Sequence, residues 1–197
     1  MILERIYLID QSPALIAAWK QAFADQPMVD ILCDDYFVQP TDAMVSPANS
    51  FGIMDGGLDR VIRYELGFVV EQRVQQRIQD DFHGELPVGS AVIVSTDHAQ
   101  WPWLIAAPTM RVPEDVSHTL NAYLALRAVL QAIKHHNQTQ KPIRSLVCAG
   151  LGTGIGGLTA QQCAIQMKEA FDQYQQPTQR MSYQEILHQH RRLHLKP

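Results

Sequence analysis

Two glycine-rich segments hold the residues best suited to chemistry. The first runs Val45-Ser46-Pro47-Ala48-Asn49-Ser50-Phe51-Gly52-Ile53-Met54-Asp55-Gly56-Gly57-Leu58-Asp59. From Asn49 to Asp59 it gathers a carboxamide, a hydroxyl, two adjacent glycines and a carboxylate within eleven residues. A carboxamide both donates to and accepts from hydroxyl groups such as those of a sugar. Adjacent glycines let a ligand touch bare backbone, and a carboxylate beside a sugar can orient or deprotonate a water. Each residue also has a plain structural reading. Asn49 can be a turn residue bonding its own backbone, and Asp59 can be a helix cap.

The second segment is Gly150-Leu151-Gly152-Thr153-Gly154-Ile155-Gly156-Gly157, between an apolar run and a helical pattern. Glycines there can turn backbone N–H groups toward an anion, and the helix start behind them adds positive potential. Such a loop holds a diphosphate without Lys or Arg. It is not a nucleotide P-loop, which needs Lys and then Ser or Thr where Leu158 stands. Gly152, Gly154 and Gly157 do satisfy G-x-G-x-x-G, the fingerprint of a nicotinamide-dependent oxidoreductase. That fingerprint expects a following strand that ends in an acidic ribose ligand. Asp172 has the offset but falls in a helical pattern, so the oxidoreductase reading is the weakest of three.

The elements that must carry these loops are legible in outline. Ile6–Ile9, Val29–Cys33, Ala43–Val45, Ala91–Val94, Leu104–Ala107 and Leu146–Ala149 read as strands. Ser12-Pro13 opens a helix, with Ser12 as cap and Pro13 at the first helical position. A helix starts near Asp59 and is interrupted at Gly67, after which Val70, Val74, Ile78 and Phe82 form a stripe. Pro113 to His136 is expected to hold one long helix, and Thr159 to Tyr174 another. Residues 175–178 look like a linker, and Ser182-x-x-Glu185 is a capping box that opens a last helix. Its positions Ile186, Leu187, His190 and Leu193 can dock on the body or on a second copy of the chain, and the sequence leaves the oligomeric state open. Alternating strands and helices argue for an α/β sheet covered on both faces. We expect a single domain over 1–176, with an N-terminal strand–helix extension, and a helical appendage over 177–197.

Taken together, the two loops resemble those of the macro domain family. Val45 to Asp59 follows the family's Asn-Ala-Ala-Asn-Ser, glycine-rich, Val-Asp pattern, and Gly152 to Gly157 resembles its Ser-Thr-Gly-Ile-aromatic-Gly loop. Asp34-Asp35-Tyr36 matches its Gly-Asp-Ile strand end. The resemblance spans about Val29 to Tyr174. It implies a three-layer α/β/α fold with a mixed sheet, and an ADP-ribose pocket at the carboxyl ends of the strands. By this resemblance Asp35 recognises the adenine amino group. Gly56, Gly57 and Ser50 belong to the first loop's ligand contacts. Gly152, Thr153, Gly154, Ile155, Gly156 and Gly157 wrap the diphosphate. Asn49 holds the distal ribose, and Asp59, with Asn49, positions or activates water.

The sequence departs from the family at three positions. Ser46 replaces the first Asn of the pattern, Asp55 replaces a glycine with a charge that repels a diphosphate if it points inward, and Gly156 replaces an aromatic. The last replacement is expected to open the distal end of the pocket, with Phe51 available to fill it. The family's strand after the last helix has no counterpart over 175–192, and the strand and helix over 6–24 are expected to cover that part of the sheet. These departures fit a divergent bacterial or phage-like branch.

Three activities follow as expectations. The first is hydrolysis of an ADP-ribosyl linkage, in ADP-ribosylated protein, O-acetyl-ADP-ribose or ADP-ribose 1″-phosphate. The second is a reader that binds ADP-ribose without turnover, and the third is the oxidoreductase. No cofactor or metal is required by the hydrolytic scheme. His190 and His194 share a helix face, but only Glu185 stands near to complete a ligand set. Arg111 can reach a phosphate or pair with Glu114. Sixteen Lys and Arg against twenty Asp and Glu argue against a strongly basic nucleic-acid binder. Three cysteines make no disulfide framework or zinc motif. The apolar run at the N-terminus is too short for a secretion signal, and none reaches the roughly 18 residues of a membrane span. A cytoplasmic protein is expected.

Overall fold

The computed structural model describes residues 3–176 and 180–194, so the expected linker over 175–178 lies partly outside the described residues. Twelve elements follow in order: β1 (Arg5–Asp10), α1 (Pro13–Ala22), β2 (Val29–Cys33), β3 (Ala43–Ser46), α2 (Gly57–Leu66), α3 (Val69–Phe82), β4 (Val92–Ser95), β5 (Trp103–Ala106), α4 (Asn121–Thr139), β6 (Ser145–Cys148), α5 (Ala160–Gln175) and α6 (Tyr183–Leu193). The strands form one mixed sheet in the order β2-β1-β6-β3-β5-β4. Only the β4–β5 pair at one edge is antiparallel.

Successive residues of the central strands serve opposite faces, as a strand's period of two requires. Ala43 and Val45 join Leu8, Leu146 and Cys148 on the face covered by α1, α4 and α5. Met44 joins Ile9, Leu104 and Val147 on the face covered by α2 and α3. This is a three-layer α/β/α fold with a buried sheet, in which the near-continuous apolar runs of the parallel strands find cover on both sides.

β1 enters the sheet between β2 and β6, parallel to both. The N-terminal strand is therefore internal to the sheet rather than an addition at its rim. Behind it, α1 starts as expected: Leu15 N–H donates to the Ser12 hydroxyl, and Pro13 opens the helix. α1 packs on α5 and buries Leu15, Trp19 and Phe23.

Two helices differ from expectation. α4 begins at Asn121, not Pro113, because residues 113–120 are pinned as a loop across the second glycine segment. Val116 N–H donates to Gly156 O (2.8 Å), and Asn121 Nδ2 anchors the end of the loop to Thr109 O (2.8 Å). α6 carries both halves of its capping box, with Ser182 N–H and Glu185 N–H bonded to each other's side chains. It docks through Leu193, which is buried, and through Gln189 and Arg192, which both bond Glu169 of α5. Ile186 and His190 stay exposed, contrary to the expected docking face.

Candidate functional site

A cleft of about 260 Å³ opens where the chain leaves the carboxyl ends of the parallel strands. Its wall includes Asp10 from the end of β1, Pro47 to Asn49 beyond β3, Thr109 and Met110 beyond β5, and Ala149 and Gly150 beyond β6. Both glycine segments reach it.

The first segment delivers a helix start. Gly56 caps α2 and has no side chain to offer, so the N–H groups of Gly57, Leu58 and Asp59 meet no acceptor among the described residues. Such orphan donors and the helix dipole favour an anion. Gly57 has φ of +53°, a conformation costly for residues with a Cβ, and a Cβ on Gly56 or Gly57 would meet nothing within 4 Å. Bare backbone therefore faces open space.

Asp59 lies in the first turn of α2 and does not cap it. It is 8% exposed and lines the cleft. Ser46 Oγ–H donates to Asp59 Oδ1 at 2.6 Å. Burial pushes the Asp59 carboxyl up to about 6, against the lowering pull of the Ser46 bond, with the charges of Asp55 and Glu71 adding to the rise. A buried carboxylate that titrates near neutrality can take a proton from water at ordinary pH.

Asn49 reconciles its two readings. Its Oδ1 accepts from Phe51 N–H (3.0 Å) and Ile53 N–H (3.3 Å), and its Nδ2 donates to Ile53 O (2.7 Å). The amide thus ties its own loop together, yet Asn49 also lines the cleft. Its second Nδ2 proton has no acceptor among the described residues and is held in one orientation by the other three bonds.

The second segment is a row of free donors. The N–H groups of Gly152, Thr153, Gly154, Ile155 and Gly156 bond no acceptor among the described residues, whereas Gly157 N–H is spent on Gly154 O and Leu158 N–H on Gly152 O. Residues 152 to 156 line the cleft, and the space beside Gly154 is empty. Gly156 does not open the distal end, as its replacement of an aromatic suggested. A Cβ there would sit 2.6 Å from Gly152 O and 2.7 Å from Val116 Cγ2. The missing side chain instead lets Val116 close down on the loop.

The lining has no Lys or Arg among the described residues, but it has three carboxylates, Asp10, Asp55 and Asp59. An anion is attracted here without a cationic side chain, by backbone N–H groups, the start of α2 and the remaining Asn49 Nδ2 proton. Asp55 does stand on the wall, where its charge opposes a phosphate placed beside it.

Three of the expected ligand residues stand apart from the cleft wall. Asp35 is exposed, and its Oδ1 accepts from Phe37 N–H in a local turn (2.9 Å). Ser50 is buried, with its backbone bonded to Arg111 and Leu86. Gly157 lies just past the free donors. Arg111 pairs with Glu85 through two bonds (2.7 and 3.0 Å), not with Glu114, and lies over the Phe51 ring, so neither Arg111 nor Phe51 enters the cleft. No group of three or more His, Cys, Asp or Glu able to hold a metal occurs among the described residues. α5 is followed by α6 rather than by a strand among those residues, so the dinucleotide fingerprint lacks its second half.

Reading along the chain overlooked Asp10. Its backbone ends β1, its Oδ1 accepts from Ser12 N–H (2.9 Å), and its Oδ2 accepts from Gly150 N–H (3.3 Å). The carboxylate that stops the first apolar run was its only signal.

A family model, described as macro domain, matches residues 45–167, more than half of the chain. The chain belongs to the macro domain family. An uncharacterised protein of Aquifex aeolicus is 30% identical to this macro domain over 134 residues, covering 68% of this chain and 74% of that one. An uncharacterised protein of Aeropyrum pernix is 32% identical over 123 residues, 62% of this chain, and the match spans 59% of that protein's length. Among solved structures, the macrodomain of Mycobacterium tuberculosis DarG aligns with a TM-score of 0.57 at 23% identity, over 71% of this chain and 87% of that one. An Oceanobacillus iheyensis macrodomain mutant solved with ADPR aligns at 0.62 and 16%, over 90% and 83%. At these identities the structural likeness establishes the fold. No helix of the described residues is long and apolar enough to cross a membrane.

Proposed function

We propose that this macro domain binds ADP-ribose in the cleft and hydrolyses an ADP-ribosyl linkage. The observation that carries the reading is the position of Asp59, a buried carboxyl with a value of about 6, in the same cleft as two sets of unpaired backbone N–H groups. The donors of residues 152 to 156 and the start of α2 suit the diphosphate. Asn49, fixed by its loop, offers its remaining N–H to a hydroxyl of the distal ribose. An Oceanobacillus iheyensis macrodomain and Thermosipho africanus DarTG, both similar in fold, have been solved with ADPR and ADP-ribose, which supports the choice of ligand.

In this scheme Asp59, ionised above about pH 6, takes a proton from a water molecule. The water oxygen bonds to the distal ribose carbon or to the carbonyl of an ester on that ribose. Attack at the ribose carbon expels the modified group with the electron pair of its bond, whereas attack at the ester carbonyl expels the ribose oxygen with the pair and leaves the acyl group as its acid. In both routes the leaving atom gains the proton that Asp59 took from the water. The diphosphate loop contributes binding and keeps the ribose in place. Substrates of this type are ADP-ribosylated protein, O-acetyl-ADP-ribose and ADP-ribose 1″-phosphate.

Calorimetric titration with ADP-ribose, with AMP and NAD as controls, tests the binding half. Micromolar binding selective for ADP-ribose is expected, and absence of binding overturns the reading. Turnover by the Asp59→Asn variant tests the catalytic half. Loss of hydrolysis with binding retained is expected. No hydrolysis by the unaltered chain, with binding intact, leaves a reader of ADP-ribose.

A further inference from the structure

Helix α3 lies under the first glycine segment and meets it with one stripe. Val74 and Ile78 crowd Gly52 so closely that a Cβ there would fall 2.8 and 3.0 Å from them. One turn earlier the stripe becomes polar at Glu71. Its Oε1 accepts from Met54 N–H at 2.7 Å, and its Oε2 accepts from Arg63 Nη1 at 2.8 Å. Both side chains of this ion pair are only 16% exposed. Arg63 lies one helical turn beyond Asp59 on α2, its guanidinium sits over the Phe68 ring, and its Nε is buried with no partner among the described residues. A buried donor left unmet has a cost, so this arginine is held for its charge more than for complete bonding.

Resting on the reading of the cleft given above, we infer that Glu71 is a positioning residue of the site. Its carboxylate fixes the first glycine loop through the Met54 N–H and, through Arg63 one helical turn beyond Asp59, ties that loop to the helix that carries the Asp59 carboxyl. Arg63 is the counter-charge that lets Glu71 stay ionised. The charge of Glu71 adds to the rise that burial gives the Asp59 carboxyl, while burial also raises Glu71 but its bonds to Met54 and Arg63 outweigh that and hold it below the usual carboxylate range. The other groups that act on Asp59 are the Ser46 hydroxyl from β3 and Asp55 from the loop before α2, while the charge of Asp59 in turn helps to raise the buried Tyr36 hydroxyl of the segment after β2. The loop therefore carries two linked settings, its shape and the pH at which Asp59 ionises.

The test follows the carboxyl carbon of Asp59 by NMR in the labelled full chain, from about pH 4 to about pH 8, alongside calorimetry with ADP-ribose. Glu71→Gln keeps an oxygen for Met54 N–H and removes the charge. It is expected to lower the Asp59 midpoint on the order of half a pH unit and to leave ADP-ribose affinity within about threefold. Glu71→Ala also lowers the midpoint and, with Met54 N–H left unmet, is expected to weaken binding about tenfold. A purely structural Glu71 would change affinity without moving the midpoint, and an unmoved midpoint in folded Glu71→Gln overturns the proposal. Should that variant fail to fold, Arg63→Met, which leaves Glu71 without its counter-charge, is expected to raise the midpoint, and no movement there overturns it equally. Failure of the unaltered chain to bind ADP-ribose would remove the functional reading, yet the titration would still decide the role of Glu71.

Discussion

The Ser46 hydroxyl donates to Asp59 Oδ1 at 2.6 Å, joining the last residue of β3 to the first turn of α2. This bond opposes the effect of burial, since a donor to a carboxylate favours its ionised form. Ser46→Ala is expected to raise the Asp59 midpoint above about 6. A hydrogen bond to a charged group is worth about 1.5–3 kcal/mol, so the rise should be roughly one to two pH units. In the proposed hydrolysis the acid limb of the kcat profile moves up with it. An acid limb that stays in place after Ser46→Ala would separate the hydroxyl from the ionisation of Asp59.

Asp59 also sets a stability prediction. Its value rises from 3.8 to about 6 on folding, so the folded chain holds the extra proton between those limits. The contribution of this group is greatest below pH 3.8 and is lost as pH rises through about 6. Above that, the buried carboxylate costs at most about 3 kcal/mol. Asp59→Asn removes the charge and keeps an oxygen for Ser46 to bond. It should raise Tm at about pH 7.5 and flatten the decline in stability with pH, while abolishing turnover. A lower Tm for Asp59→Asn at neutral pH would contradict this assignment.

Gly154 and Gly156 stand two residues apart but should fail differently. Beside Gly154 there is open cleft, so Gly154→Val should leave Tm nearly unchanged and cut ADP-ribose affinity at least about tenfold by filling the ligand's space. A side chain at Gly156 collides with Gly152 O and Val116. Gly156→Ala should therefore lower stability by about 1–3 kcal/mol. Thermal unfolding and calorimetry on both variants separate the two effects, and equal loss of stability in the pair would refute the distinction.

Asp10 ends β1, and Asp35 follows the end of β2 by two residues. Asp10 pairs in register with Cys33, two residues before Asp35, and only Asp10 lines the cleft. Asp10→Ala is expected to change ADP-ribose affinity by about fivefold or more, and Asp35→Ala by less than about twofold. The reverse order would return the base-binding role to Asp35, as the family resemblance first implied.

Much of this protein is written locally. Ser12-Pro13, Ser182-x-x-Glu185 and the apolar runs act through neighbours a few residues away, so their helices and strands stand within a residue or two of where the sequence puts them. The glycine loops, too, are evident from composition, because a backbone that must approach a ligand can be made in few other ways. α4 shows the limit. Its pattern extends back to Pro113, but bonds from Val116 to Gly156 and from Asn121 to Thr109 hold residues 113–120 off the helix.

By itself the sequence determined the layered α/β class, the two glycine loops, and the presence of Asn49 after a strand and Asp59 at a helix start. Only the tertiary structure decided which side chains share the cleft. β1 lies between β2 and β6, and that order puts Asp10 on the cleft wall while Asp35 stays in its own exposed turn. The burial and the Ser46 bond that tune Asp59, and the Glu71–Arg63 pair behind its loop, join residues from different elements. Strand order and burial arise from packing between distant segments, and spacing along the chain carries no measure of either.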